Sequence, residues 1–301
     1  MPHGTYCWPG SYPTGSVISP SAWFELAADV DVVMSQSVNF DRDTLQALDH
    51  LEAIGVYGVG TDGIDLTAAT EAGIRIINVP AYGADEVSTH ALALILACVR
   101  KVVPYDRQVK GGEWDWREGT PLFRTGTMTL GLVGYGTIAR KLARKCRPIF
   151  EEIVAYDPYI EKFGASVREV EFDELLTAAD VVSIHAPLTD ETAGLFGSAE
   201  FERMPDTAVL VNVARGSIVD LDALSTALST GAIRSAGLDV FPSEPPDVHP
   251  IFDLDMLVCS PHVAWYSETS ERELRRSLAR DVARLTRGDT PENIVNEQAA
   301  E

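Results

Sequence analysis

From about residue 31 onward, short runs rich in Val, Ile, Leu and Ala alternate with stretches whose apolar positions recur at helical spacing. Residues 30–34, 53–57 and 75–79 predict strands, and residues 43–51 and 66–72 predict the helices between them. Parallel neighbours in a sheet need a crossover, so this alternation is the mark of βαβ units. In residues 86–109, Leu92, Ile95, Leu96 and Val99 fall on one helical face. A helix of that length exceeds what a crossover in a small sheet needs. It predicts a link between two domains that ends at Gly111 and Gly112, before a loop carrying Trp114, Trp116 and Pro121.

A second alternating series follows, with strand-like runs at 129–133, 153–156, 181–184, 208–213, 236–240 and 257–259. Six or seven strands suffice for a full doubly wound parallel sheet. Residues 267–287 read as a long amphipathic helix, and the residues after it are too few for a domain, so they are expected to fold back on the first one. The pattern as a whole predicts an α/β protein with two doubly wound parallel-sheet domains.

Composition narrows the function classes. With 301 residues, 46% hydrophobic and 23% charged, the chain can bury one large core or two ordinary ones, which excludes disordered and fibrous classes. No apolar run reaches the roughly 18 residues that span a bilayer, and residues 1–20 lack a basic start followed by an apolar stretch. Cys7, Cys98, Cys146 and Cys259 are far apart and form no C-x-x-C pair, so no metal site or disulfide framework is expected, and a cytoplasmic location is. A net charge of −21 argues against a nucleic-acid partner. It also repels anionic substrates at long range, so an acid must be held by a local cation or by backbone N–H groups. The cluster Arg140, Lys141, Arg144, Lys145 and Arg147 lies in the second half of a predicted helix, where it complements the helix dipole on a solvated face.

The strand at 129–133 runs into Gly134-Tyr135-Gly136-Thr137-Ile138-Ala139 and then into a helix. This is the G-x-G-x-x-A form of the dinucleotide fingerprint. Gly134 permits the tight turn, Gly136 admits the pyrophosphate to the backbone, and Ala139 keeps helix and strand close. Asp157 ends the next strand, eighteen residues after Ala139. A carboxylate there accepts from ribose hydroxyls and repels a 2′-phosphate, so NAD is expected in preference to NADP.

Three later segments each present a reactive side chain just beyond a predicted strand: Arg215, Glu244 and His262. Ligands of open α/β sheets lie outside the carboxyl ends of the strands, so these groups are expected to converge. Carbonyl reduction needs such a trio: a cation for the substrate carboxylate, a proton donor, and an acid that keeps an imidazole protonated. Taken singly, each also reads as an ordinary surface cation, loop carboxylate or capped imidazole.

At this point the sequence resembles the D-isomer-specific 2-hydroxyacid dehydrogenases over residues 30–296. The resemblance is carried by Gly58-Val-Gly-Thr-Asp-Gly-Ile-Asp65, Asn78-Val-Pro80, the Gly134 fingerprint, His185-Ala-Pro187, Val213-Ala-Arg-Gly216, Gly237-Leu-Asp-Val240 and Ser260-Pro-His262. Pro261-His-Val-Ala-Trp-Tyr-Ser-Glu268 and Asp157-Pro-Tyr159 look most like the C-terminal-binding-protein-like branch and its bacterial relatives. The resemblance implies a Rossmann NAD-binding domain over 100–275, inserted in a smaller flavodoxin-like substrate domain formed by 1–99 and 276–301.

It further implies an NAD-dependent enzyme that interconverts a small 2-keto acid and the (R)-2-hydroxy acid. Arg215 would bind the carboxylate and keto oxygen, His262 would carry the proton, and Glu244 would pair with His262. Asp239 would hold the nicotinamide carboxamide, while His185, Ala186, Pro187, Thr192, Val213, Ala214 and Ala264 would line the cofactor. Backbone N–H groups of Gly58, Val59 and Gly60 would meet the substrate carboxylate, and Trp265 would contact the substrate side chain or else be a buried aromatic. A homodimer is expected, with the long helix as its surface. The resemblance leaves two alternatives: an NAD-sensing, corepressor-like binding protein, and a reductase of a phosphonate-bearing or other dianionic keto acid. Formate dehydrogenases share the scaffold but lack a Glu at position 244, whereas phosphite dehydrogenases keep the trio. One departure stands out: about fifty residues precede the first matching strand in family members, against some thirty here, so the substrate domain is expected to be shortened. Trp8, Tyr12 and Trp23 in that stretch read as core plugs or as a cap on the cleft.

Overall fold

A computed structural model describes residues 27, 29–36 and 39–296. Trp8, Tyr12 and Trp23, and with them the expected shortening, lie outside the described residues. The chain forms two compact units, one from the described residues up to Tyr82 together with those from Glu268 onward, the other from Gly83 to Ser267. The division falls after Tyr82 and Ser267, where the sequence reading put it after 99 and 275.

In the first unit, β1 (Val32–Ser35), β2 (Ala53–Val56) and β3 (Arg75–Ile77) pair in parallel in the order β1-β2-β3. Helices α1 (Arg42–Gln46) and α2 (Leu66–Glu71) make the crossovers. Each starts at an aspartate cap: Asp41 accepts from Thr44 N and Asp65 from Ala68 N, both at 2.8 Å. Phe40, Leu45, Ile54, Ile74 and Ile76 fill the core. As the pattern predicts, the tail returns to this sheet, for Ile294 bridges Ile77, and Asn296 both donates to Ile74 O and accepts from Ile76 N, each at 2.8 Å.

The second unit is built on a seven-stranded sheet, with β4 (Thr129–Val133), β5 (Glu152–Tyr156), β6 (Arg168–Glu169), β7 (Val181–Ile184), β8 (Val209–Asn212), β9 (Ser235–Leu238) and β10 (Leu257–Cys259). All pairings are parallel and the order is β10-β9-β8-β7-β4-β5-β6. The chain starts at β4, moves outward to β6, then crosses back to β7 and out to β10. Between β4 and β7 the direction reverses, which opens a crevice at the carboxyl ends of those strands. β7, β8 and β9 are buried at every position, as strands covered on both faces must be.

The single helix expected over 86–109 is two helices, α3 (Ala84–Val99) and α4 (Val102–Lys110), bent by 62°. Pro104 has no N–H to give the preceding turn, and Lys101 takes a left-handed φ of 51° at the break. A proline is tolerated in the first turn of a new helix, so the chain restarts there. Nor is α3 a free link: Ala91, Leu94, Ile95 and Cys98 pack into the core of the second unit beside Val209 and Val211. Among the described residues no single helix is long and apolar enough to cross a membrane.

Candidate active site

The loop after β4 follows the fingerprint. Gly134 has φ +85°, and a Cβ there would fall 2.7 Å from Ala186 N and 2.8 Å from the His185 carbonyl carbon. Only glycine lets this turn pass beside the end of β7. A Cβ on Gly136 would meet nothing within 4 Å, so open space faces the start of α5 (Thr137–Cys146). A helix N-terminus with unpaired N–H groups and room before it fits a pyrophosphate. Thr137 is exposed and Ile138 half-buried at that start, while Ala139 is fully buried against the sheet.

Asp157 lies at the end of β5, where its carboxylate accepts from Tyr135 N at 2.7 Å and from Tyr159 N at 3.0 Å. The basic cluster on α5 is tied to protein. Arg140 donates to Tyr135 O at 3.0 Å, and Lys145 donates to Asp85 O and Ser88 Oγ at 2.9 Å, whereas Arg144 and Arg147 are exposed. Part of the cluster is thus a structural pin rather than a solvated face.

Beyond β7, burial pushes the His185 imidazole down to about 4, so the ring is neutral near pH 7 and shares a 2.9 Å contact with Ser183 Oγ. Ala186 is buried and Pro187 exposed. Thr192 fastens the following loop by donating to Pro187 O at 2.6 Å and accepting from Thr189 N at 2.8 Å.

Beyond β8, Asn212 is nearly fully buried and its side chain holds the turn, donating to Arg215 O at 2.8 Å and accepting from Ala214 N at 3.0 Å. Val213 is buried in the same turn. The Arg215 guanidinium donates to Ala214 O at 2.7 Å. A Cβ on Gly216 would lie 1.9 Å from the Phe241 carbonyl carbon, so the Arg215 turn and the loop bearing Glu244 are in direct contact.

Glu244 and His262 meet as expected, with Oε2 2.6 Å from Nδ1. The other Glu244 oxygen accepts from Phe241 N at 3.1 Å, which fixes the carboxylate. His262 has φ +48°, a left-handed conformation that costs a non-glycine residue roughly 1 kcal/mol. Neighbouring bonds enforce it. His262 N donates to Asp239 O at 2.8 Å, and Trp265 Nε1 donates to His262 O at 3.0 Å. With Nδ1 facing Glu244, Nε2 is the ring atom left to exchange a proton with a ligand.

Asp239 is fully buried. Its carboxylate accepts from Ser260 Oγ at 2.6 Å, Val263 N at 3.0 Å and Ala264 N at 2.9 Å. Besides the role that the resemblance implies for it at the nicotinamide carboxamide, these partners make it an anchor of the turn that carries His262. Ala264 is buried in that turn. Trp265 is half-buried, stands edge-on to Tyr266 at 5.5 Å, and is therefore no simple core aromatic.

Gly58, Val59 and Gly60 belong to the first unit. There Gly58 N donates to Val56 O at 2.9 Å, so of the three expected N–H donors that of Gly58 already has a partner. Val59 O accepts from Asn78 Nδ2 at 2.7 Å.

Sequence reasoning did not single out His90, whose Nε2 lies 2.8 Å from Ser260 Oγ. In the sequence it follows Asp85, Glu86, Ser88 and Thr89 as one of several polar residues in the first half of α3, 170 residues from its partner, and no local signal marks it.

Residues 92–264 match the sequence model described as D-isomer specific 2-hydroxyacid dehydrogenase, NAD binding domain. The chain is 37% identical to the D-3-phosphoglycerate dehydrogenase of Archaeoglobus fulgidus over 88% of its own length and 51% of that protein. With the glycerate dehydrogenase of Methylorubrum extorquens it shares 32% identity over 93% of its length and 90% of that protein. It resembles the structure of D-lactate dehydrogenase from Aquifex aeolicus, solved with NAD and lactic acid, with TM-score 0.85 and 25% identity over 92% of this chain and 90% of that one. The chain spans about half the length of the phosphoglycerate dehydrogenases it matches, 51% and 56% in two cases. A fingerprint turn beside a paired glutamate and histidine, and a match that runs through both, lead to one assignment: this chain belongs to the D-isomer specific 2-hydroxyacid dehydrogenase family.

Proposed function

We propose that the protein is an NAD-dependent oxidoreductase that interconverts a small 2-keto acid and its (R)-2-hydroxy acid. The observation that carries this reading is the 2.6 Å contact of Glu244 with His262, on a turn that leaves Nε2 available. Gly134, Gly136, Thr137 and Asp157 fit the dinucleotide, since the space before α5 is open and a carboxylate closes the far strand. When bound, the reduced nicotinamide supplies a hydride to C2 of the keto acid.

The chain's own residues do the rest. Arg215 offers a planar fork that grips a carboxylate on two oxygens. His262 releases the Nε2 proton to the keto oxygen and keeps the Nδ1 proton directed at Glu244. Glu244 faces Nδ1 throughout, which orients the ring and fixes the tautomer in which Nε2 exchanges the proton. In the opposite direction the bare Nε2 accepts the hydroxyl proton.

The names of the relatives, phosphoglycerate, glycerate and glyoxylate enzymes among them, support testing both monoanionic and dianionic acids. NADH oxidation by the purified protein, followed with a panel of 2-keto acids, tests the reading, and 3-phosphoglycerate with NAD tests the dianionic branch. Turnover of one acid is expected; a protein that binds NADH but turns over none of them would be a nucleotide-sensing binder instead.

A homodimer and a cytoplasmic location complete the proposal. α4 buries none of its residues, and Val102 and Val109 on it and Trp114 and Trp116 after it are 50–89% exposed, apolar surface that a second copy would cover. The wide spacing of Cys98, Cys146 and Cys259, with no C-x-x-C pair, fits a reducing compartment.

A further inference from the structure

His90 on α3 and Ser260 after β10 carry no role in the mechanism above, yet they adjoin its central turn. Ser260 Oγ lies 2.6 Å from Asp239 Oδ1 and 2.8 Å from His90 Nε2. A hydroxyl has one proton, and Ser260 gives it to the carboxylate. Its contact with His90 must then run the other way, with Nε2–H donating to Oγ. The order is fixed as His90 to Ser260 to Asp239, and it ends on a carboxylate with no exposed surface. His90 Nε2 also lies 3.5 Å from Asp239 Oδ1, with a quarter of its own side chain exposed. This is not an activated serine, because a nucleophilic hydroxyl would direct its proton at the imidazole.

We propose that His90 is a positioning residue for the proton donor. It orients Ser260, Ser260 orients the buried Asp239 carboxylate, and that carboxylate holds Val263 N and Ala264 N while the Asp239 backbone carbonyl holds the N–H of His262. A left-handed histidine persists only where its surroundings over-determine it. Without the outer donor, the Ser260 hydroxyl loses its fixed orientation and Oδ1 holds its nearest partner less firmly. The turn then relaxes, and Nε2 of His262 moves off the line to the keto oxygen. Displacements of this kind lower the chemical step while leaving distant contacts intact. The inference rests on His262 as proton donor, and it deepens that reading by naming what keeps the donor in place.

The test compares His90→Ala, His90→Gln and Ser260→Ala in the full chain, with His90→Ala/Ser260→Ala as the double variant. Gln reaches as far as Nε2 and retains an N–H there. For His90→Ala the expected result is a loss of about tenfold in kcat, with NADH affinity by fluorescence changed less than about twofold. The isotope effect with deuterated NADH should also rise. His90→Gln should recover most of the rate, and the double variant should lose no more than either single one. Independently of turnover, the His262 ring proton resonance, identified by its loss in His262→Gln, should shift in His90→Ala and Ser260→Ala and return in His90→Gln. Six histidines make that spectrum simple to assign. An unmoved His262 resonance overturns the inference whether or not a substrate is known. A wild type without turnover but with a shifted resonance overturns the proposed reaction and leaves the positioning intact. Falling stability with unchanged kcat per folded molecule also overturns it.

Discussion

His262 faces Glu244 across 2.6 Å with both side chains partly exposed, so the pair is strong in geometry and moderated by solvent. Glu244→Gln should lower kcat for keto-acid reduction at least about tenfold while leaving NADH affinity nearly unchanged, because an amide replaces a charge-assisted bond to Nδ1 with a weaker one and holds the ring less firmly. A variant as fast as the wild type would falsify the pairing. Arg215→Lys should cost at least about tenfold in kcat/KM, since a point charge cannot reproduce a two-pronged grip. Trp265 calls for two substitutions. Its indole N–H is bonded to His262 O, so Trp265→Ala removes both an apolar wall and a brace on the proton donor. Trp265→Phe removes the brace alone. If the indole lines the substrate side chain, the Phe variant should keep a preference for keto acids with several apolar side-chain atoms over glyoxylate, and the Ala variant should lose it. Each buried methylene is worth roughly 0.8 kcal/mol, so a few give tenfold or more. Equal loss on all acids in both variants would assign Trp265 to the turn only.

At the level of elements, the strand-to-helix turn after β4 and Asp157 at the end of β5 are where NAD and NADP should be told apart. Asp157 braces two backbone N–H groups besides presenting a charge, so replacing it changes both shape and sign. The wild type should use NAD(H) at least about tenfold better than NADP(H), and Asp157→Ala should narrow that ratio, read as kcat/KM for each nucleotide. A wild type that prefers NADPH would remove the assignment. This turn was legible in the sequence because its requirements are local: a tight turn, a close approach and a helix start all fall within six residues. The meeting of Glu244 and His262 was legible for a related reason, in that each follows a recognisable strand and parallel strands bring their carboxyl ends to one edge. The break between α3 and α4 was missed because apolar periodicity runs through it, and the weight of Pro104 depends on where the helix restarts. The His90 chain was beyond reach, since nothing near residue 90 signals residue 260. Asp239 shows the middle case: its motif was visible, but its burial and its partners were not.

On the scale of the whole molecule, a net charge of −21 surrounds any approach to Arg215. Repulsion between like charges weakens as salt shortens the Debye length, which is about 10 Å at 0.1 M. For an anionic keto acid, kcat/KM should therefore rise with inert salt at low ionic strength, while NADH affinity is checked in parallel. A steady fall would mean that local cations dominate the encounter.

The order in which the polypeptide visits its two units has a consequence for how it is made. The first unit opens with β1, β2 and β3, but its long helix α6 (Glu268–Thr286) and the stitches from Ile294 and Asn296 come from beyond residue 267. Residues 83–267 lie between. On a ribosome, the segment that begins second is therefore complete first, and β3 stays unpaired with Ile294 until residue 294 has been made. The three early strands wait through the synthesis of residues 83–267 as an open edge, the state in which chains associate with one another. Slowing elongation between β3 and residue 294 lengthens that exposure, whereas slowing it before β1 does not.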